Sequence, residues 1–81
     1  MARVVLSGEV RRFTGDLDHI ELDAKNVMQL FHKLGQRFPN LAPILETSFA
    51  VAIDGELFED QLLQPIGADS EVVLVPKIAG G

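Results

Sequence analysis

Gly80 and Gly81 close the sequence and are its strongest chemical signal. Two residues without Cβ atoms tolerate backbone conformations closed to other residues. They make a thin thread tipped by a carboxylate, able to enter a tunnel too narrow for side chains and to meet a nucleotide phosphate there. At neutral pH a terminal carboxyl, with a reference pKa of about 3.5, is already ionised and needs no base to act as a nucleophile. The competing reading is an inert, frayed end, the common fate of chain termini. Lys77, Ile78 and Ala79 join this pair to the apolar run Val72-Val73-Leu74-Val75 and Pro76.

Other chemistry is sparse. His19 and His32 stand apart from each other and from any carboxylate cluster at ligand spacing, so both read as surface histidines rather than metal ligands or bases. Asp16, Asp18 and Asp23 lack the glycine and terminal glutamate of a calcium loop and read as solvated. No metal site is expected. The chain has no cysteine, which excludes disulfides, thiolate metal sites and cysteine nucleophiles. It also has no glycine-rich phosphate loop, nucleophile elbow or zinc spacing. Arg11, Arg12 and Lys77 can meet an acidic partner surface or help to hold the tail, although a solvated face is the simpler reading for the two arginines.

The elements that must hold such a tail follow from size and pattern. With 81 residues and 47% apolar side chains, the chain makes one small globular domain with one core and no room for a deep pocket. The net charge of −5 argues against nucleic acid and against anionic membranes. Met1-Ala2-Arg3 runs directly into Val4-Val5-Leu6, too short for a signal-peptide core or a membrane span, which makes the cytoplasm the expected compartment.

Arg3–Ser7 predicts a strand ended by Gly8, then a polar loop from Glu9 to Asp18, then a strand over Leu17–Leu22 whose buried face is Ile20 and Leu22. Asn26 caps a helix with Gln29 at the return position of a capping box. Val27, Leu30, Phe31, Leu34 and Phe38 form its apolar stripe, Gly35 lies off the centre of that stripe, and Pro39 stops it. Leu41–Glu46 has room for one more turn. Phe49–Ile53 is a third strand, Asp54-Gly55 a hairpin turn and Glu56–Phe58 a short fourth strand. An irregular connection over Asp60–Ser70 leads to a last strand, Glu71–Val75. Val72 and Leu74 are assigned inward, Val73 and Val75 to the open sheet face. One helix on one face of a mixed sheet of four to five strands, first and last strands central, is an α+β fold of β-grasp, ubiquitin-like type. The division is a β-grasp domain over 1–76 and a flexible tail over 77–81.

At this point the chain resembles the ubiquitin-like sulfur carriers, which include the small subunit of molybdopterin synthase and the sulfur carrier of thiazole biosynthesis. The resemblance rests on Val4-Val5-Leu6, Arg11-Arg12-Phe13-Thr14-Gly15, Asn26-Val27, Ile53-Asp54-Gly55, Gly67-Ala68-Asp69-Ser70-Glu71-Val72 and Pro76-Lys77-Ile78-Ala79-Gly80-Gly81. It covers essentially the whole chain and departs from many relatives at Lys77. It implies a carrier rather than an enzyme, with no bound cofactor. A ubiquitin-activating-type adenylyltransferase uses ATP to adenylate Gly81, sulfur displaces AMP to leave a thiocarboxylate, and a synthase subunit accepts the sulfur. It also implies that Leu57 and Val75, with Val73 beside them and Phe58 as the alternative, face the activating partner. These residues can equally be ordinary core. The length is nearer the molybdopterin-synthase type, so molybdopterin is the expected destination, with thiazole, cysteine and secondary-metabolite synthesis as alternatives. A protein modifier joined through Gly81 to lysines, and a plain interaction module with an inert tail, are the competing functions.

Overall fold

The computed structural model describes residues 1–6 and 8–77. Ile78, Ala79, Gly80 and Gly81, and Ser7 at the expected end of the first strand, lie outside the described residues.

Five strands form one mixed sheet: β1 (Ala2–Val5), β2 (His19–Leu22), β3 (Phe49–Ile53), β4 (Glu56–Phe58) and β5 (Glu71–Pro76), in the order β2-β1-β5-β3-β4. The first and last strands pair in parallel at the centre, with Val4 opposite Val72, and the other pairings are antiparallel. Three helices accompany the sheet among the described residues: α1 (Arg11–Thr14), α2 (Val27–Arg37) and α3 (Leu45–Ser48). The expected β-grasp plan is therefore present, with α2 as the main helix.

Alternation decides which face of the sheet is buried. Val4, Phe49, Val51, Ile53, Val72 and Leu74 point to one side and join Val27, Leu30, Phe31 and Leu34 of α2 in a single apolar core. Each such side chain, taken out of water, contributes about 1.5–3 kcal/mol before entropy is subtracted. Phe38 also reaches the core, but as the C-cap of α2, its N–H bonded to the Leu34 carbonyl at 2.8 Å.

The helix start is as the cap predicts, with one difference. Asn26 is extended and its Oδ1 accepts from the Gln29 amide at 2.9 Å. The Gln29 Oε1 accepts from the Lys25 amide at 3.0 Å, one residue before the position a capping box would use. The connection before β5 satisfies further donors of this helix end. The Val27 amide donates to the Gln64 carbonyl and the Met28 amide to the Leu62 carbonyl.

Two segments differ from expectation. The stretch expected as a polar loop from Glu9 to Asp18 contains a 3-10 turn, Gly8–Val10, that runs into α1. Val10 is fully buried and Phe13 packs on the core. Their spacing of three residues is helical, and a turn of helix brings both inward past the charged Glu9, Arg11 and Arg12. Arg11 and Arg12 stay exposed. The single turn expected over Leu41–Glu46 is a 3-10 turn, Ala42–Ile44, followed by α3.

That second segment explains Gly35. A Cβ on Gly35 would stand 2.9 Å from the Cβ of Ala42. Helix propensity alone favours Gly35→Ala by about 1 kcal/mol. Overpacking against a Cβ that cannot rotate away costs about 1–3 kcal/mol. Gly35→Ala should therefore lower the unfolding midpoint, and Gly35→Ala with Ala42→Gly should raise it again. Calorimetry on the three proteins checks this, and a gain in the single variant would contradict the close approach.

Candidate functional site

The site has two parts, the exit of β5 and the sheet face that α2 leaves uncovered. β5 lies between β1 and β3, but the β1 pairing stops at Val5–Val73, so at the exit β5 is held by β3 alone. The Pro76–Phe49 pair ends the register. Lys77, expected in the flexible tail, instead belongs to the body. Its amide donates to the Ser48 carbonyl at 2.8 Å. Its Nζ donates to the Glu46 carbonyl at 2.7 Å and to Asp60 Oδ1 at 2.5 Å. Lys77 is thus anchored to α3 and to the stretch after β4, and nothing in the local sequence pairs position 77 with positions 46 or 60.

On the uncovered face, pairing aligns one row across all five strands: His19, Val5, Val73, Ala52 and Leu57. Val75 and Ala50 form the next pair toward the exit. In the other direction lies the charged row Glu21, Arg3 and Glu71. Val73 and Val75 are half-buried, and Leu57 is 54% exposed. The structure therefore brings Leu57, Val73 and Val75 together on one face. Phe58 is on the other: it pairs with Val51 and packs on the core, as alternation along β4 requires. Val5 and Ala52, both half-buried, complete the patch, whereas Ala50 is only 3% exposed. Sequence alone marks them as strand residues but does not give the register that aligns them.

The β3–β4 turn tethers the start of β5. Asp54 (φ 49°) and Gly55 (φ 88°) both adopt the left-handed backbone of a tight hairpin turn. The Asp54 amide donates to the Glu71 carbonyl, and Asp54 Oδ1 accepts from the Glu71 amide, both at 2.9 Å. That amide holds the Asp54 carboxyl below its ordinary value of 3.8. A depressed carboxyl contributes stability that is complete above the ordinary value and is lost as pH falls through the folded one. Asn keeps the acceptor and tolerates the left-handed backbone. Asp54→Asn should therefore flatten part of the fall in unfolding midpoint between about pH 5 and pH 3. Equal acid slopes in both proteins would show that Asp54 carries none of it.

His19 and His32 are exposed on different elements. His19 Nδ1 lies 2.7 Å from Asp18 Oδ1, and that hydrogen bond, with the imidazole charge, lowers the Asp18 carboxyl. Among the described residues no three His, Asp or Glu side chains gather at ligand spacing. No helix among them is long and apolar enough to cross a membrane.

Comparison with known proteins adds a family and a set of folds. The model of the ThiS family matches residues 4–81. No curated protein matches the chain significantly. A chain of the BexX/CysO complex of Amycolatopsis orientalis superposes with a TM-score of 0.82 at 18% identity, covering 100% of both chains. The small archaeal modifier protein 1 of Methanosarcina acetivorans gives 0.81 at 19% identity over 99% of this chain and 95% of the other. A chain of the complex of subunits 1 and 2 of the molybdopterin-converting factor of Helicobacter pylori gives 0.66 at 21% identity over 99% and 97%. At these identities the structures establish the fold alone.

Proposed function

The chain belongs to the ThiS family, and on that premise we propose that it is a sulfur carrier that works through the carboxylate of Gly81. The observation that carries this reading is a family match running to Gly81 on a chain whose central strand leads to an anchored exit. An adenylating partner binds the body and takes up the tail. The Gly81 carboxylate attacks the α-phosphorus of ATP, and pyrophosphate leaves. Sulfide then attacks the acyl carbon, AMP leaves, and a thiocarboxylate remains. ATP belongs to the partner, and this chain binds no cofactor of its own. Its contribution is positioning: a rigid body converts a bimolecular encounter into a local one.

The sulfur passes to a synthase-type subunit. Molybdopterin synthesis is the destination proposed first, in keeping with the chain length and with the converting-factor fold. Thiazole, cysteine and secondary-metabolite routes are alternatives that the genes beside this one would distinguish.

The test is intact mass. The purified chain must first weigh what a sequence ending in Gly81 weighs. After incubation with its adenylating enzyme, Mg-ATP and sulfide, it should gain the difference between one sulfur and one oxygen. Isopeptide ladders on target lysines in cell extract, without that gain, would make it a modifier instead.

A further inference from the structure

We infer that Lys77 is a positioning residue: it pins the root of the C-terminal segment to the body and thereby sets where the Gly81 carboxylate can reach. The inference rests on the carrier reading above. Three bonds converge on this one residue. The hydrogen bond that the Lys77 amide donates to the Ser48 carbonyl extends the β3–β5 ladder one step beyond the Phe49–Pro76 pair. The ammonium is bonded to the Glu46 carbonyl, just after the 3-10 turn, and to Asp60, just beyond β4. Two separate segments, α3 through Glu46 and Ser48 and the stretch after β4 through Asp60, are thus tied to Lys77.

The side chain is unusual for a lysine. It is only 19% exposed, whereas lysines normally extend into water. Glu46 and Asp60 both line a cavity of about 190 Å³ whose walls include Phe31, Phe49 and Phe58. The ammonium joins two residues of that cavity's lining. Asp60, which receives it, holds a left-handed backbone at φ 56°, a conformation that costs energy outside glycine.

The consequence is geometric. Four residues follow Lys77, so the carboxylate reaches at most about 14 Å beyond the anchored Cα at ~3.3–3.6 Å per residue. Without the clamp the last fixed point retreats into β5. The carboxylate then samples a larger volume, and its effective concentration at a partner's nucleotide falls. A clamp of this kind acts on productive engagement and not on the chemical step, so it should appear in KM rather than in kcat.

Two measurements test it. Lys77→Met keeps the aliphatic stem and removes the ammonium, Asp60→Asn removes the partner charge, and Lys77→Arg restores a cation. By NMR on the chain alone, protection of the residue-77 amide should fall about tenfold or more in Lys77→Met and Asp60→Asn, with Val73 and Val75 amides unchanged. With an adenylating enzyme that supports ATP–pyrophosphate exchange on the wild-type chain, KM should rise about three- to tenfold in both variants while kcat stays within about twofold. Lys77→Arg should recover most of the loss. Equal protection in all variants, or an unchanged KM, overturns the inference. If no adenylating enzyme acts on the wild-type chain, the carrier reading fails instead, and the amide protection alone decides whether Lys77 is a pin.

Discussion

Deleting Gly81, or replacing Gly80 with valine, should lower adenylation by about a hundredfold or more, the scale on which misplacing a reacting group is felt. The two changes act differently. Deletion moves the carboxylate back by one residue, about 3.3–3.6 Å, which is larger than the tolerance of an in-line attack on phosphorus. Valine at position 80 adds a β-branched side chain where a tunnel that admits glycine has no space for one. Stability should be unaffected by either change. The buried apolar side chains of the described core run from Ala2 to Leu74 and are complete before Lys77. ATP–pyrophosphate exchange and thermal unfolding on the same preparations separate the two effects. Full activity in the truncated chain would leave a plain interaction module with an inert end.

The fold was legible where periodicity and local chemistry agreed. The stripe Val27, Leu30, Phe31 and Leu34, with Asn26 before it and Pro39 after it, admits only one helix, and α2 follows it. The limits of β3 and β4 follow from the alternation of Phe49, Val51 and Ile53 and from the two left-handed residues between them. The helical stretch from Gly8 to Thr14 was hidden because its apolar residues, Val10 and Phe13, are two among charged neighbours, too few to register as a period. The Gly35–Ala42 contact and the Lys77 anchor were hidden for a different reason. Each joins residues distant in sequence through tertiary packing, which no local pattern encodes. The candidate site is divided in the same way. Val72 and Leu74 could be placed inward by alternation, whereas the row that gathers Val5, Val73, Ala52 and Leu57 exists only once the register is known.

That row supports a sharp contrast between two adjacent residues. Leu57 and Phe58 are neighbours on β4 that point to opposite faces. Leu57 is 54% exposed and contributes little to the core, so Leu57→Asp should leave the unfolding midpoint within a few degrees. On a docking face, a charge placed at the edge of an apolar centre is expected to cost about 2 kcal/mol of binding or more, roughly a 30-fold weaker complex. Val75→Asp, nearer the exit, should weaken binding likewise, with some loss of stability because Val75 is half-buried on the central strand.

Phe58→Ala should behave in reverse. Its half-buried ring packs on the core, so its loss should cost about 2–3 kcal/mol of stability. For a domain of this size that lowers the midpoint by about 10–20 °C, while partner affinity measured well below the transition stays near wild type. The row Glu21, Arg3 and Glu71, with Asp54 bonded to the Glu71 amide, borders the patch with mostly negative charge, so the partner surface should be apolar at its centre and basic at its rim. Complex formation should then slow as salt rises, through the association rate rather than the dissociation rate. Titration calorimetry and stopped-flow binding with the adenylating protein read both effects. If Phe58→Ala weakened binding and Leu57→Asp did not, the face covered by α2, rather than the open one, would be the surface through which this chain is handled.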